Sequence, residues 1–400
     1  MSRRKQIWIA LSVLAVGLPL AAILGLFTYM VATATPLHPD KEKVPSVASA
    51  SPTPKWANAV ARGRQIARAS LTEQNLPGVS VAVGVGGDIV WAEGFGWADL
   101  ENHVKVTPDT LFRIGSASKV LTSAAVGLLL EQGKLNLDDK IQVYVPEFPE
   151  KQWPVTLRQV MGHVGGVRND AGDEEPLTPA AGCVKTIEGL QRFANRPLLF
   201  EPGSKFRYSN YGWILVSAAV ERVAKEPFYK FMREQIFDPL GMTDTMADSA
   251  TTPMADRAQF YFPRFAGDPR YGPQEPRDVD YSCFAGSSAF LSTPSDLVRF
   301  GMAMNRGKLL KPTTVHVLQA SQHLASGQET GYGLGWDLET ITVSGVQTTV
   351  VGHDGELMGG MVASLVTFPD QPLVVAVTSN TSYAKTFALA SSLAQAFADR

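Results

Sequence analysis

The chain has 400 residues, of which 45% are hydrophobic and 18% are charged, and its formal net charge is −2. This composition is that of a globular protein with enough material for a large core. With 36 basic against 38 acidic residues and no run of like charge, the chain does not have the basic excess of a nucleic-acid-binding protein.

The first 34 residues predict a membrane anchor. A basic flank at residues 3–5 precedes an uncharged stretch over 7–37, which is mostly apolar as far as residue 32. A helix that crosses a bilayer needs about 20 apolar residues, and the basic flank keeps its start in the cytoplasm, so that the rest of the chain is exported. A cleaved signal peptide is the alternative, because residues 32–34 (ATA) resemble a cleavage site, although a signal core is usually only about 7–15 residues long.

Two segments follow the apolar stretch. Residues 35–55 are rich in proline, serine and alanine and predict an extended linker that holds a domain off the membrane. Residues 56–400 are predicted to form that domain, which begins with an amphipathic helix over 56–75. Two β-rich runs on either side of Gly86 and Gly87 then predict an antiparallel hairpin.

The remaining elements predict an α/β (α+β) fold. A helix that ends near Gly133 is followed by a mostly helical pattern over 138–245, a surface excursion over 251–282 and another helix from Pro294. Short β-rich runs and a helix over 383–398 close the chain. We expect a mixed, mainly antiparallel sheet built from both ends of the domain, flanked by helices, with a large helical insertion.

The chain has two cysteines, Cys183 and Cys283. They share no short spacing, so they do not indicate a metal site. In an exported domain they can form one disulfide, and two separate buried thiols are the alternative.

A first polar cluster lies in the stretch RIGSASKVLTSAAVGLLLEQ, which places Ser116 three residues before Lys119. Positions i and i+3 share one face of a helix, so the lysine amine can reach the serine hydroxyl and take its proton. Free N–H groups in the first helical turn also favour a developing oxyanion. Taken alone, the pattern more often marks a capping serine followed by a solvated lysine.

A second cluster, FRYSNYGW, contains Tyr208 and Asn210 at the entry of a helical run. A phenol that faces a lysine ammonium is favoured as phenolate and can move a proton between a serine and a leaving group. Because an amide both donates and accepts, Asn210 is expected to contact Lys119 and a substrate carbonyl. A polar turn is the alternative.

A third cluster, VVGHDGELMGG, places His353 and Gly355 at the end of a β-rich run. A glycine in a strand permits close approach of a ligand to the backbone. The N–H of Glu356 is expected to complete an oxyanion hole with the N–H of Ser116. His353 is expected to offer a donor or a partial positive charge to a substrate carboxylate, and a satisfied surface histidine is the alternative.

The motifs RIGSASK, YSN and HDG, in this order, resemble those of serine hydrolases of the class C β-lactamase and penicillin-binding type; a related motif set is that of the class A β-lactamases. The resemblance covers roughly residues 57–399 and implies a β-lactamase/transpeptidase-like fold. The run from IEGLQRF to VERV is most similar to the mitochondrial serine β-lactamase-like proteins, which are peptidase-like.

The resemblance also implies roles for the clustered residues. Ser116 is the acylated nucleophile, and Lys119 is the general base or shares that role with Tyr208. Tyr208 protonates the leaving group, and Asn210 orients the substrate. No metal or organic cofactor is implied.

Three departures from the family pattern qualify this interpretation. His353 stands where β-lactamases usually have lysine, and a histidine at this position is typical of carboxypeptidase-, esterase- and aminopeptidase-like members. Gly355 is expected to line the substrate strand. Asp354 adds a negative charge that is expected to weaken carboxylate recognition. The stretch GHVGGVRND replaces a commoner His-Thr-Ser-Gly turn, and we interpret it, with His163, as structural.

The sequence therefore predicts a membrane-anchored serine hydrolase that acts through a Ser116 acyl-enzyme on an amide or ester. A peptidase of the D-alanyl carboxypeptidase type and an esterase are the expected activities, on a small peptide, a peptidoglycan-like peptide or an acyl ester. The catalytic domain is expected to face the periplasm from a bacterial inner membrane. A β-lactamase is one alternative, and a non-catalytic surface binding or scaffold protein that kept the fold is another.

Overall fold

A computed structural model describes residues 3–169, 182–248, 254, 256–275, 279–357 and 361–398. The helices of these residues are α1 (Arg3–Ala32), α2 (Ala57–Gln74), α3 (Ser118–Glu131), α4 (Leu157–Met161), α5 (Asn210–Ala224), α6 (Phe228–Met232), α7 (Pro294–Asn305), α8 (Pro312–Gln319) and α9 (Thr386–Ala398). The strands are β1 (Ser46–Ala48), β2 (Gly78–Val85), β3 (Asp88–Asp99), β4 (Val104–Lys105), β5 (Phe112–Arg113), β6 (Met246–Ala247), β7 (Phe262–Pro263), β8 (Pro273–Gln274), β9 (Phe290–Ser292), β10 (Asp337–Val343), β11 (Val346–Leu357), β12 (Met361–Thr367) and β13 (Leu373–Ser379).

The main sheet joins the two ends of the domain. Its strand order is β1-β3-β2-β13-β12-β11-β10, with β4 paired to β3, and neighbouring strands are antiparallel. The C-terminal strand β13 pairs directly with β2, with Ala376 opposite Ala82. The predicted sheet built from both ends is confirmed.

Both faces of this sheet are covered, which explains why its central strands are apolar at nearly every position. Val79, Val81 and Val83 of β2 belong to the core under α2 and α9. Ala82, between them, belongs to the opposite core, which also contains α3 and α5. The alternation of side chains along a strand thus divides one segment between two cores.

The hairpin between β2 and β3 turns at Gly86 and Gly87, as predicted. Both glycines have positive φ, 66° and 103°, the conformation that a tight hairpin turn requires and that favours glycine. The amphipathic helix predicted over 56–75 is α2, and it ends at Asn75 in the left-handed conformation.

The helical insertion is present but contains less α-helix than its pattern predicts. The helix predicted around VTLRQVMGHV ends at Met161, and His163 follows it with a φ of 59°. The run TIEGLQRFAN forms a 3₁₀ helix over Thr186–Arg192. Cys183 and Cys283 are joined by a disulfide and are not two separate buried thiols.

Residues 35–55 differ from the predicted extended linker, because they pack on the domain. β1 extends the sheet, with Val47 opposite Gly94 of β3, and Val44 is buried in the α2–α9 core. The proline, serine and alanine content of residues 35–55 indicated an extended linker. The edge of the main sheet has unpaired backbone groups with which this segment pairs, and the sequence of the segment does not show this.

The predicted surface excursion over 251–282 lies in part outside the described residues. Its described part is anchored to the domain, because Ala258 is buried and the Tyr261 N–H donates to the Asn380 carbonyl at 2.9 Å. The window Ala15–Ala32 of α1 is long and apolar enough to cross a membrane, and nearly all of it is exposed. A signal sequence has the same properties.

A buried ion pair anchors β5 just before the first cluster. Arg113 and Asp248 lie 2.7 Å apart, with side chains 1% and 2% exposed. Arg113→Ala is expected to lower the free energy of unfolding by up to about 3–5 kcal/mol, because it removes the nearer of two arginines beside a buried carboxylate and leaves Arg257, 3.8 Å away. Urea denaturation measures this loss.

The control is Arg158→Ala, which removes a more exposed pair with Asp138 and is expected to cost at most about 1 kcal/mol. Equal losses in the two variants contradict the structural role of the Arg113 pair.

Candidate active site

Ser116 lies on a tight turn that leads into α3. The 3₁₀ turn Gly115–Ala117 runs directly into the helix at Ser118, so the serine precedes the first α-helical turn. Gly115 has a φ of 53°, and a Cβ there would lie 3.1 Å from the Glu356 nitrogen. The turn is therefore pressed against β11, and the first and third sequence clusters meet.

Lys119 is fully buried, and its ammonium contacts three oxygens. Nζ donates to Ser116 Oγ at 2.9 Å, to Asn210 Oδ1 at 2.8 Å and to the Ser287 carbonyl at 3.0 Å. An ammonium has three donors, and each of these oxygens takes one. The predicted proximity of Ser116 and Lys119, and the predicted contact of Asn210, are present in the structure.

Tyr208 lies across the same lysine. The Lys119 Nζ is 4.8 Å from the centre of the Tyr208 ring, a cation–π distance. The tyrosine ring also packs on His163, at 4.2 Å between ring centres. The second cluster therefore converges with the first.

The position of this tyrosine is set by the start of α5. Ser209 caps the helix by accepting from the Gly212 N–H at 3.0 Å, and its own N–H donates to His163 Nδ1 at 3.1 Å. His163 thus supports the loop that carries Tyr208. Burial, and then the charge of Lys119, keeps the pKa of His163 well below its usual value.

The Ser287 carbonyl is a site group that the sequence prediction missed. It lies in the turn Ser282–Ser287, where Ala285 has a φ of 43° and a ψ of −130°, an unusual conformation for a residue with a side chain. Thr122 donates to the Gly286 carbonyl at 2.8 Å, and the disulfide at Cys283 ties the same turn to Cys183. The run of small residues in SCFAGSS is the only sequence signal for it.

β11 presents its end to the nucleophile. Its pairing with β10 stops at Gly352, which lies opposite Asp337, so β10 does not cover residues 353–357. A Cβ on Gly355 would lie 1.8 Å from the Ile114 carbonyl oxygen. Gly355 therefore lets the nucleophile turn itself approach the strand, rather than a ligand as predicted.

His353 differs from the predicted donor for a substrate carboxylate. It is 4% exposed, and its Nδ1 lies beside two acceptors, the Asp354 carbonyl and Asp337 Oδ2, so this nitrogen carries the proton. Nε2 then accepts from the Tyr332 hydroxyl at 3.0 Å. Burial lowers the pKa of His353, the nearby Asp337 carboxylate raises it and Lys119 lowers it, so the imidazole is neutral at pH 7.

Asp354 and Glu356 face away from the nucleophile. Successive residues of a strand face opposite sides of the sheet, so residues 353 and 355 face the Ser116 turn and residues 354 and 356 face α9. Glu356 Oε1 accepts from the Tyr383 N–H at 3.0 Å, and Asp354 pairs with Ser364, which bonds Thr386 of α9. The negative charge of Asp354, expected to weaken carboxylate recognition, is thus on the opposite face.

Tyr332 is the second site residue that the sequence prediction missed. Its hydroxyl holds His353, and its ring lies 4.7 Å from His163 and 6.3 Å from Tyr208. Burial raises the pKa of Tyr332 well above its usual value, so it remains a neutral donor. The stretch GYGLGWDL drew attention to this region, but no local pattern indicates a contact with residue 353.

A contact between a serine and a buried lysine, on a turn that packs against the end of a strand, in this fold, is typical of serine hydrolases of the β-lactamase/transpeptidase-like type. The chain belongs to the beta-lactamase family, whose model, described as Beta-lactamase, matches residues 63–398. The predicted family and fold class are confirmed.

Two curated relatives show the breadth of this family. The Serine beta-lactamase-like protein LACTB, mitochondrial, of Homo sapiens is 32% identical, over 63% of this chain and 57% of that protein. Penicillin-binding protein 4* of Bacillus subtilis (strain 168) is 26% identical, over 72% of this chain and 64% of that protein. The chain thus spans less than two thirds of the length of either relative.

Solved structures show the same fold. The octameric penicillin-binding protein homologue from Pyrococcus abyssi superposes with a TM-score of 0.70 at 24% identity, covering 84% of this chain and 77% of that one. The D-amino acid amidase from Ochrobactrum anthropi SV3, complexed with L-phenylalanine amide, gives 0.68 at 23% identity, with coverage of 84% and 97%.

The stability that two buried histidines contribute is expected to fall as the pH drops below about 6.5, against an opposite contribution from Asp354, whose pKa burial raises to about 6. The pKa values of His163 and His353 are lowered by burial from the ordinary 6.5, so the unfolded state binds protons first as the pH falls. Their contribution is complete above pH 6.5 and is lost below it, by at most about 1.4 kcal/mol per histidine and pH unit. Urea denaturation at pH 7.5, 6.5 and 5.5 measures the slope.

His163→Gln is expected to make this slope shallower, since an amide oxygen can still accept from the Ser209 N–H. The exposed His323→Gln is the matched control. A slope that is the same in the wild type and in His163→Gln contradicts the assignment.

Proposed function

We propose that the chain is a membrane-anchored serine hydrolase that forms an acyl-enzyme at Ser116 on an amide or ester substrate. The observation that carries this proposal is the 2.9 Å contact between Lys119 Nζ and Ser116 Oγ, in a buried setting with Tyr208 and Asn210 alongside. Membership of a serine hydrolase family supports it.

The reaction begins when the Ser116 hydroxyl gives its proton to Lys119 as the neutral amine, or to Tyr208 as a phenolate favoured by the Lys119 ammonium, and Oγ bonds to the substrate carbonyl carbon. The carbonyl oxygen becomes an oxyanion, which accepts from the N–H groups of Ser116 and Glu356. Tyr208 returns the proton to the leaving nitrogen or oxygen as that bond breaks. Water then repeats the sequence on the acyl-serine and releases the acid.

Uncharged acyl substrates fit the third cluster better than carboxylate-terminated ones. The family position of a β-lactamase lysine is taken by His353, whose two ring nitrogens are both engaged by protein groups and whose imidazole is neutral. This favours an esterase or amidase over a D-alanyl carboxypeptidase or a β-lactamase. The structural neighbours include EstCE1, a hydrolase with promiscuous acyltransferase activity, at a TM-score of 0.68 and 20% identity.

The proposed location is a membrane, with the catalytic domain exported. The apolar α1 supports an anchor, and the Cys183–Cys283 disulfide supports an oxidising compartment. The inner membrane of a bacterium, with the domain facing the periplasm, fits both features. The human relative is named as mitochondrial.

Acylation is expected at Ser116 alone. The full chain is treated with a fluorescent fluorophosphonate, and the modified peptide is located by mass spectrometry; Ser116→Ala is expected to abolish labelling because it removes the nucleophile. Ser118→Ala, two residues away, is the matched control and is expected to label normally. A folded wild type that resists fluorophosphonate, penicillin and ester probes points instead to a non-catalytic scaffold.

Tyr208→Phe is expected to lower kcat by about 10²–10⁴-fold with little change in KM, because it removes the proton relay but keeps the ring. Steady-state rates on 4-nitrophenyl esters and on nitrocefin measure the effect and rank the esterase against the β-lactamase activity. Tyr144→Phe, whose hydroxyl bonds Asp139 instead, is the control. Unchanged turnover removes Tyr208 from the mechanism and leaves Lys119 as the sole base.

A further inference from the structure

The C-terminal end of α1 is fastened to the catalytic domain. Arg264 Nη2 donates to the Thr33 carbonyl at 2.9 Å and to Thr33 Oγ1 at 3.1 Å. The Tyr29 ring meets Phe265 edge-on at 6.1 Å, and Met30 is buried. The last turn of the apolar helix thus contacts the loop that precedes β8.

The residues that follow α1 are fastened as well. The Leu37 N–H donates to Asn75 Oδ1 at 2.7 Å, and Asn75 Nδ2 donates to the Thr35 carbonyl at 3.1 Å. His38 Nε2 donates to the Pro77 carbonyl at 3.2 Å. Residues 33–38, which follow α1, are thus held against the domain by hydrogen bonds, so the orientation of α1 and the orientation of the domain are coupled.

A short series of contacts leads from this junction to the nucleophile. A Cβ on Gly267 would lie 3.1 Å from the Tyr383 ring. The Tyr383 N–H donates to the Glu356 carboxylate at 3.0 Å, and the Glu356 nitrogen borders the Gly115 position. The end of β11 that flanks Ser116 and the end of α1 therefore lie at the same end of the main sheet, with Glu356 reaching the junction from the sheet face opposite to Ser116.

The surface around this junction includes aromatic and basic side chains. Tyr383 is 45% exposed and is held at a φ of 62°, and it packs against Phe262 at 5.8 Å between ring centres. Lys385 is exposed two residues further on, and Arg270 is exposed, paired with Asp268. Aromatic and basic side chains of this kind are enriched at the level of lipid headgroups.

We propose that α1 holds the Ser116 site at the membrane surface, where it acts on acyl esters or amides carried by membrane lipids. This rests on the proposed function, since it requires a hydrolase at Ser116 and an anchor at α1. A fixed domain meets lipid-borne groups at a high effective concentration and in a limited range of orientations. The substrate class is an amphipathic molecule whose scissile bond lies close to the headgroups.

The test uses the full chain in vesicles of phosphatidylethanolamine and phosphatidylglycerol. Three probes carry the same umbelliferyl ester: one is free in water, one is coupled to phosphatidylethanolamine by a short spacer and one by a long polyethylene glycol spacer. The variant combines Arg264→Ala with 20 inserted Gly/Ser residues between Ala34 and Thr35, a tether with a reach of about 25 Å. The control carries the same insertion after Gly345, at the β10–β11 turn.

The variant is expected to cleave the short-spacer probe at least about tenfold more slowly than the wild type, and to keep its rates on the soluble and long-spacer probes. The control insertion is expected to retain all three rates. An unchanged short-spacer rate in the variant overturns the inference, and so does a wild type that does not float with the vesicles. A wild type that floats but hydrolyses none of the probes, and is not labelled at Ser116, overturns the proposed function as well.

Discussion

The buried ammonium of Lys119 is the interaction on which the rest of the site depends. Its three acceptors come from the turn before α3, from the start of α5 and from the turn at Ser287. A buried charge that loses one such partner is destabilised by about 1–3 kcal/mol or more, so the helical insertion must close correctly on α3. The same packing of the insertion places Tyr208 over the lysine, so the site is assembled only when the insertion is folded.

The second constraint is the approach of β11 to the nucleophile turn. Only glycine fits at 355, because a Cβ would overlap the Ile114 carbonyl. Since β10 stops at Gly352, the strand end beside Ser116 is not covered by its neighbour. The missing side chain at 355 thus admits the turn that carries Ser116, and the early end of β10 leaves the adjoining end of β11 without that neighbour.

The parts of the site that sequence predicted are local, and the parts it missed are not. Ser116 and Lys119 are three residues apart, so helical geometry alone brings them together, and strands that are apolar at nearly every position are typical of a sheet covered on both faces. Ser287 contributes a backbone carbonyl, which any residue type can supply. Tyr332 meets His353 only through tertiary packing. The segment 35–55 was misjudged for the same reason, since its partner is a sheet edge far along the chain.

The choice of histidine at 353 follows from the charge already present in the site. Burial lowers the pKa of His353, the Asp337 carboxylate opposes this effect, and the charge of Lys119 lowers the pKa further. By reciprocity, a cation at 353 would disfavour the ammonium of Lys119. A neutral imidazole, held by Tyr332 and by the Asp354 carbonyl, avoids that repulsion while filling the same space. The end of β11 thus carries a neutral imidazole rather than a cation at position 353.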